Sequence, residues 1–150
     1  MPEQNDANGF RVVIFRVAEG YYALDISLVS EIVRMQKITK IPDTKEYIKG
    51  VINLRGQIIP VVSLRKRFRT EEEGSDKKTR IVIVAQDDFE VGIIIDEVYK
   101  VVSVMGESLE PATEEMIGKG ERFFNSVLKS AEGIIGILNL EVVLENRNAV

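Results

Sequence analysis

Apolar residues come in short runs along this chain, each closed by a turn signal, and the period within a run predicts its element. "FRVVIFRV" from Phe10 is β-branched and aromatic, and "AEGY" supplies a turn. In "YYALDI", Tyr22, Leu24 and Ile26 alternate with Ala23 and Asp25, so the two runs predict a hairpin. In "SLVSEIVRM", Leu28, Val29, Ile32 and Val33 follow helical spacing and Ser27 can cap, which predicts one or two helical turns. "ITKIPDTKEYIKG" holds the turn pair Pro42-Asp43 and predicts a loop with one further helical turn before Gly50.

"GVINLRGQIIPVVSLR" predicts two strands joined at Arg55-Gly56. The pair fits a type I turn with Gly56 left-handed in a bulge. Pro60 has no N–H for a ladder bond and marks an edge or a bulge. Ile58, Ile59, Val61 and Val62 are apolar on both faces, as in a strand covered on both sides. "RKRFRTEEEGSDKKT" reads as a helical turn and then an exposed loop. "RIVIVAQ" and "FEVGIII" predict a hairpin across Asp87-Asp88, and "DEVYKVVSV" a brief helix entering a strand. "MGESLEPATEEMIGKG" reads as a long irregular connection, "FFNSVLKS" with "GIIGILNL" as a last hairpin, and "LEVVLENR" as a short terminal helix.

The pattern repeats. "VVIF…YYALDISLVSEIVR" lies on "IVIV…FEVGIIIDEVYKVV" without a gap, at an offset of 69 that sets Ala23 on Gly92, Val29 on Val98 and Ile32 on Val101. "IIPVVSL" lies on "IIGILNL" at an offset of 76, with Ile59 on Ile135. Two similar β units of about five strands follow. Units so small are expected to share a core.

Composition narrows the chemistry. There is no Cys and no His, which excludes disulfides, zinc sites and Ser-His-Asp triads. A net charge of -4 without a dominant basic face argues against nucleic acid. No apolar run reaches transmembrane length, and "MPEQNDANG" lacks a signal-peptide apolar region, so residues 1–9 read as a disordered tail and the cytoplasm as the default location.

Catalysis would have to come from carboxylates. Asp25 and Asp96 occupy equivalent places after the two hairpins, but acids there more simply cap amides at helix starts, and no motif places a second chemical group. "GKGERFF" has neither phosphate-loop spacing and reads as a flexible loop. "RKRFR" interleaves charge with an aromatic, but Glu71, Glu72 and Glu73 follow, so a solvated helix face is the simpler reading. Arg55 alone is an ordinary exposed turn residue. On a rigid hairpin tip it becomes a planar multi-donor group fit for carboxylates and carbonyls.

"YALDISLVSEIV", "YIKGVINLRGQIIPVVSLRKRF" and "VGIIIDEVYKVVSV" resemble successive blocks of the CheW family of bacterial chemotaxis coupling proteins, over about Phe10 to Glu145. The resemblance implies a mostly β fold of two SH3-like five-stranded β-barrels around a shared hydrophobic core, with short helices. Residues 10–150 would form one domain of two intertwined subdomains, with the repeat boundary near 70–80. It implies a non-enzymatic adaptor, without cofactor or metal, that links the cytoplasmic tips of chemoreceptors to the regulatory domain of the histidine kinase CheA. Nucleic acid and membrane insertion play no part, and the protein would sit in the cytoplasm at receptor arrays. By the same resemblance, Ile26, Val29, Glu31, Arg55, Gly56 and Val101 line a receptor groove between the barrels, and Gly50 helps shape it. Val82 and Val91 on edge strands are the implied kinase contacts. A regulatory SH3-like module for a different sensor kinase, and a small carboxylate hydrolase, are the alternatives.

Overall fold

The computed structural model describes residues 9–117, 122–131 and 133–144. The tail expected at the start, the glycine loop around 118–120 and the end of the terminal helix lie outside the described residues, Gly9 apart. The strands are β1 (Gly9–Val17), β2 (Gly20–Asp25), β3 (Val29–Arg34), β4 (Ile48–Leu54), β5 (Gln57–Ser63), β6 (Arg80–Gln86), β7 (Phe89–Ile95), β8 (Glu97–Met105), β9 (Leu109–Pro111), β10 (Phe124–Ser130) and β11 (Gly133–Leu138). The α-helices are single turns: α1 (Leu64–Arg67), α2 (Glu114–Ile117) and α3 (Leu140–Val143). The fold is mostly β, in two sheets.

Contacts divide the chain into two units. One comprises residues up to Phe15, Gly20–Ile26 and the chain from Tyr99; the other comprises Arg16–Glu19 and Ser27–Val98. The first sheet has the order β8-β1-β2-β11-β10-β9 and the second β3-β6-β7-β5-β4. Without the short β9, the two orders correspond strand for strand. The parallel junctions also match, because Ile137 faces Ala23 in the first sheet where Val61 faces Gly92 in the second. Those are the residues that the offsets of 76 and 69 equate. Each hairpin therefore pairs with strands from the other half of the repeat: β3 runs antiparallel to β6, with Ile32 opposite Val82.

Each sheet carries its own apolar cluster. Val12, Ile14, Ala23, Val104 and Ile135 form one. Ile52, Ile59, Val61, Ile81 and Ile83 form the other. On the alternate positions of the second sheet, Val62, Val82, Val84, Val91, Ile93 and Ile95 are buried as well. This is why these strands read as unbroken apolar runs.

Several expectations about the elements change, and the helical turn expected before Gly50 is absent, the 41–47 segment before β4 holding only turns. "SLVSEIVRM" holds only a 3-10 turn, Ile26–Leu28, before strand β3. There Val29, Glu31 and Val33 are half-buried and Ser30, Ile32 and Arg34 exposed, a period of two; β-branched side chains favour that strand over a helix. "DEVYKVVSV" is strand throughout, as β8. The connection after Met105 is more ordered than expected, since β9 pairs with β10 and α2 follows.

Pro60 sits on an interior strand, not at an edge. Its partner across the β4–β5 ladder is Val51, whose N–H and C=O both bond Thr39 on the far side, at 2.8 Å each. Val51 and Pro60 thus form a non-hydrogen-bonded pair, and the missing Pro60 N–H would point toward β7. The ladder with β7 begins only at Val61, so no bond is lost.

Candidate functional site

β3 and β4 are the opposite edges of the second sheet, yet two links join them. The chain leaving β3 returns to pair Thr39 with Val51 of β4. At the other end of β4, the Arg55 guanidinium ion-pairs with Glu31 of β3. The sheet is thereby rolled toward closure, and Arg55 and Glu31 stand at one mouth of it.

The turn that presents Arg55 is tighter than its sequence suggests. Leu54 pairs with Gln57, so only two residues reverse the chain, and both have positive φ: +53° at Arg55 and +83° at Gly56. This is the type I′ pattern, in place of the type I turn with a bulge expected above. Gly56 adopts it freely, and Asn53 Oδ1 accepts the Gly56 N–H at 2.9 Å. An arginine in the left-handed region costs about 1–2 kcal/mol, and asparagine is the residue this turn prefers. The turn therefore gives no reason for an arginine at position 55.

Nor does the fold require the charge pair. At the same offsets the first unit has Lys100 for Glu31 and Ala131 for Arg55, and it forms the same sheet without the ion pair. The Arg55 side chain is 69% exposed, so the pair adds well under 1 kcal/mol to stability. Its visible effect is orientation: Glu31 fixes one end of the guanidinium and leaves the other donors facing outward.

The remaining residues expected at the receptor groove fall in both units. Val29 begins β3, half-buried. Ile26, half-buried, opens the 3-10 turn after β2, and Val101 is exposed on β8. Tyr99 and Met105, two and four residues from Val101 along β8, are exposed too, and Tyr99 packs on Tyr21 with ring centres 5.5 Å apart.

Val82 and Val91, expected as kinase contacts on edge strands, are corrected. β6 and β7 are interior strands, and the two side chains are 0% and 5% exposed, so neither can meet a partner. The exposed apolar groups lie further along the same face. Ile58, expected to be covered, is 61% exposed, and Phe89 is 50% exposed. Both are at positions that alternate with the inner cluster. Ile58 lies near the start of β5 and Phe89 at the start of β7, each three residues before the first paired residues, Val61 and Gly92.

A separate polar cavity of about 390 Å³ lies within the second unit. Asp96 organises one wall. Its carboxylate accepts Arg65 Nη2 at 2.6 Å, Arg65 Nε at 3.1 Å and the Ala18 N–H at 2.7 Å. The hydrogen bond to Asp96 raises the Arg65 pKa further above its ordinary value, against the opposing effect of burial. Asp96 thus caps no helix, since β8 follows it. Both of its oxygens are engaged by donors. Asp25 precedes the Ile26–Leu28 turn.

On another wall Ser63 both caps α1, accepting the Lys66 N–H at 3.2 Å, and donates to Glu72. Burial would raise the Glu72 pKa, but the bonds from Ser63 and from Lys49, at 3.1 Å, outweigh it and leave the carboxyl below its usual range. "RKRFR" is accordingly no solvated face. Arg65 serves Asp96, and Arg67 is buried with its guanidinium 4.7 Å from the Tyr47 ring centre. Among the described residues no group of three or more acids is placed to hold a metal ion, and no helix is long and apolar enough to cross a membrane.

The comparisons with known proteins agree on one family. The model of the CheW-like domain matches residues 11–148. The chain is 34% identical to the chemotaxis protein CheW of Bacillus subtilis, over 94% of this chain and 90% of that one. It is 31% identical to CheW of Treponema pallidum, over 92% and 84%. The structure of the scaffolding protein TtCheW from Thermoanaerobacter tengcongensis superposes with a TM-score of 0.81 at 39% identity, covering 91% of this chain and 92% of that one. With its repeated two-sheet fold and these matches along nearly its whole length, the chain belongs to the CheW family.

Proposed function

We propose that this protein is a chemotaxis coupling adaptor without chemistry of its own. It binds the cytoplasmic tips of chemoreceptors and the regulatory domain of the kinase CheA, in the cytoplasm, and reaches receptor arrays through protein contacts alone. The observation that carries the receptor half is Arg55. It is exposed, held at a φ that disfavours it, aimed by Glu31, and replaced by Ala131 at the equivalent position of the first unit. A left-handed non-glycine residue kept at a local cost points to function. The guanidinium suits the carboxylates and helix-end carbonyls of a helical receptor tip, with Val29, Ile26 and Val101 as apolar contacts. For the kinase half, Ile58 and Phe89 offer the exposed apolar surface that Val82 and Val91 lack. Such an adaptor transmits signal by contacting the on and off arrangements of its partners unequally, and the difference is the coupling free energy.

Two substitutions separate binding from folding. Arg55→Glu is expected to weaken binding of a soluble receptor-tip fragment by about tenfold or more, read by calorimetric titration. Arg55→Asn should also lose affinity while leaving the melting temperature unchanged or higher, because Asn-Gly is the better type I′ pair. A fall in melting temperature with affinity intact would make Arg55 structural instead.

A further inference from the structure

The far end of β4 carries a second recognition surface of different character. From Arg55 to Lys49 the strand runs back about 20 Å, at roughly 3.3 Å per residue. There the 38–46 loop, the start of β4 and α1 enclose an open groove of about 880 Å³. Its apolar lining is Ile38, Ile41, Pro42 and Ile48. Its charged lining is four lysines, Lys40, Lys45, Lys49 and Lys66, against two acids, Asp43 and Glu46. This local excess of positive charge stands in a chain whose net charge is -4.

The lysines differ in what they do. Lys49 is held by Glu72 at 3.1 Å and Lys66 by Glu46 at 3.5 Å. Lys40 and Lys45 pair with no acid among the described residues. Ile41 is exposed between them. The loop is braced: Thr39 is bridged to Val51, the Thr44 hydroxyl donates to Ile41 O at 3.3 Å, and the Ile48 N–H donates to Lys45 O at 3.0 Å. A braced loop presents its charges at low entropic cost to a ligand.

We infer that this groove docks an acidic amphipathic segment of a partner protein, with carboxylates on Lys40 and Lys45 and an apolar side chain against Ile41. Charge complementarity selects the acidic ligand, and the concave apolar floor selects a peptide over a flat surface. An anionic membrane would need a protruding tip and more unpaired lysines than two. The site is independent of Arg55.

The probe is a blocked, fluorescein-labelled peptide of about sixteen residues, made of glutamate and leucine with the leucines at helical spacing. Anisotropy should show saturable binding to the intact protein. It should weaken about tenfold in Lys40→Glu/Lys45→Glu and also in Ile41→Ser, which changes no charge, and be unaltered in Arg55→Glu. All three groove side chains lie outside the apolar clusters, so melting temperatures should match. No saturable binding, or equal binding by the variants, overturns the inference. So does flotation with phosphatidylserine vesicles that the lysine variant abolishes while the peptide stays unbound, since that would assign the lysines to a membrane.

Discussion

Replacing Gly50 with alanine is expected to destabilise the protein by about 4 kcal/mol, adding the cost of a disfavoured backbone to that of overpacking. The backbone follows from the bulge in the β4–β5 ladder between Ile48 and Gly50, and the crowding from the closure of the second sheet. For Thr39 to bridge Val51, its carbonyl must lie directly over the neighbouring Gly50. A Cβ on Gly50 would overlap Thr39 O, lie 2.7 Å from its carbonyl carbon and reach 2.9 Å from Ile38 Cγ2. Two of these atoms are backbone and cannot swing aside without breaking the bridge. Gly50 also has φ +148°, which side chains rarely adopt. The loss is a large share of a typical folding free energy and corresponds to a melting temperature about 10 °C lower or more. Gly56→Ala is the control. Its φ is +83°, but nothing lies within 4 Å of its Cβ, so only the strain of about 1 kcal/mol applies. Equal melting temperatures for the two variants would show that closure at Thr39 does not constrain position 50.

The second large effect is expected at Asp96. Asp96→Asn keeps the shape but removes the charge that Arg65 faces, and both side chains are only about 15% exposed, at 16% and 15%. Stranding a fully buried charge costs about 3–5 kcal/mol, and the partial exposure here reduces that to about 2–3. The double variant Asp96→Asn/Arg65→Met should recover much of the loss, because the stranded Arg65 charge is then gone, while Arg16, 3.5 Å from Asp96, keeps Glu97 at 3.5 Å as a partner. Failure of the second change to recover stability would shift the explanation to the Ala18 N–H. That amide sits in the β1–β2 turn at φ +54° and depends on the same carboxylate.

What was legible in the sequence was local or repeated. The hairpins of "FRVVIFRV/YYALD" and "RIVIVAQ/FEVGIII" showed as alternation, and the two offsets equated the residues that the structure pairs at its two parallel junctions. The strand β3 was missed because residues 28, 29, 32 and 33 satisfy a helical period as well as a half-buried strand. Only pairing with β6, far away in the chain, decides between them. The pairing of each hairpin with the opposite half of the repeat is likewise invisible to any local window. At the site, family resemblance named Arg55 and Glu31, but not that they pair. Nor did an Arg-Gly pair reveal that arginine itself takes the left-handed position. The family resemblance set Val82 and Val91 on edge strands, whereas a run apolar on both faces, as in β6 and β7, marks an interior strand. The role of Asp96 comes from partners 31 residues before it at Arg65 and 78 before it at Ala18. No spacing rule carries that.

The coupling itself is tested most directly by sedimenting membranes that carry chemoreceptors with purified CheA, with and without this protein. CheA is expected to enter the pellet far more with the protein than without it, and Arg55→Glu to return CheA toward its level without the protein. CheA that sediments equally in its absence, or a protein that binds CheA yet never joins the membranes, would contradict a coupling role.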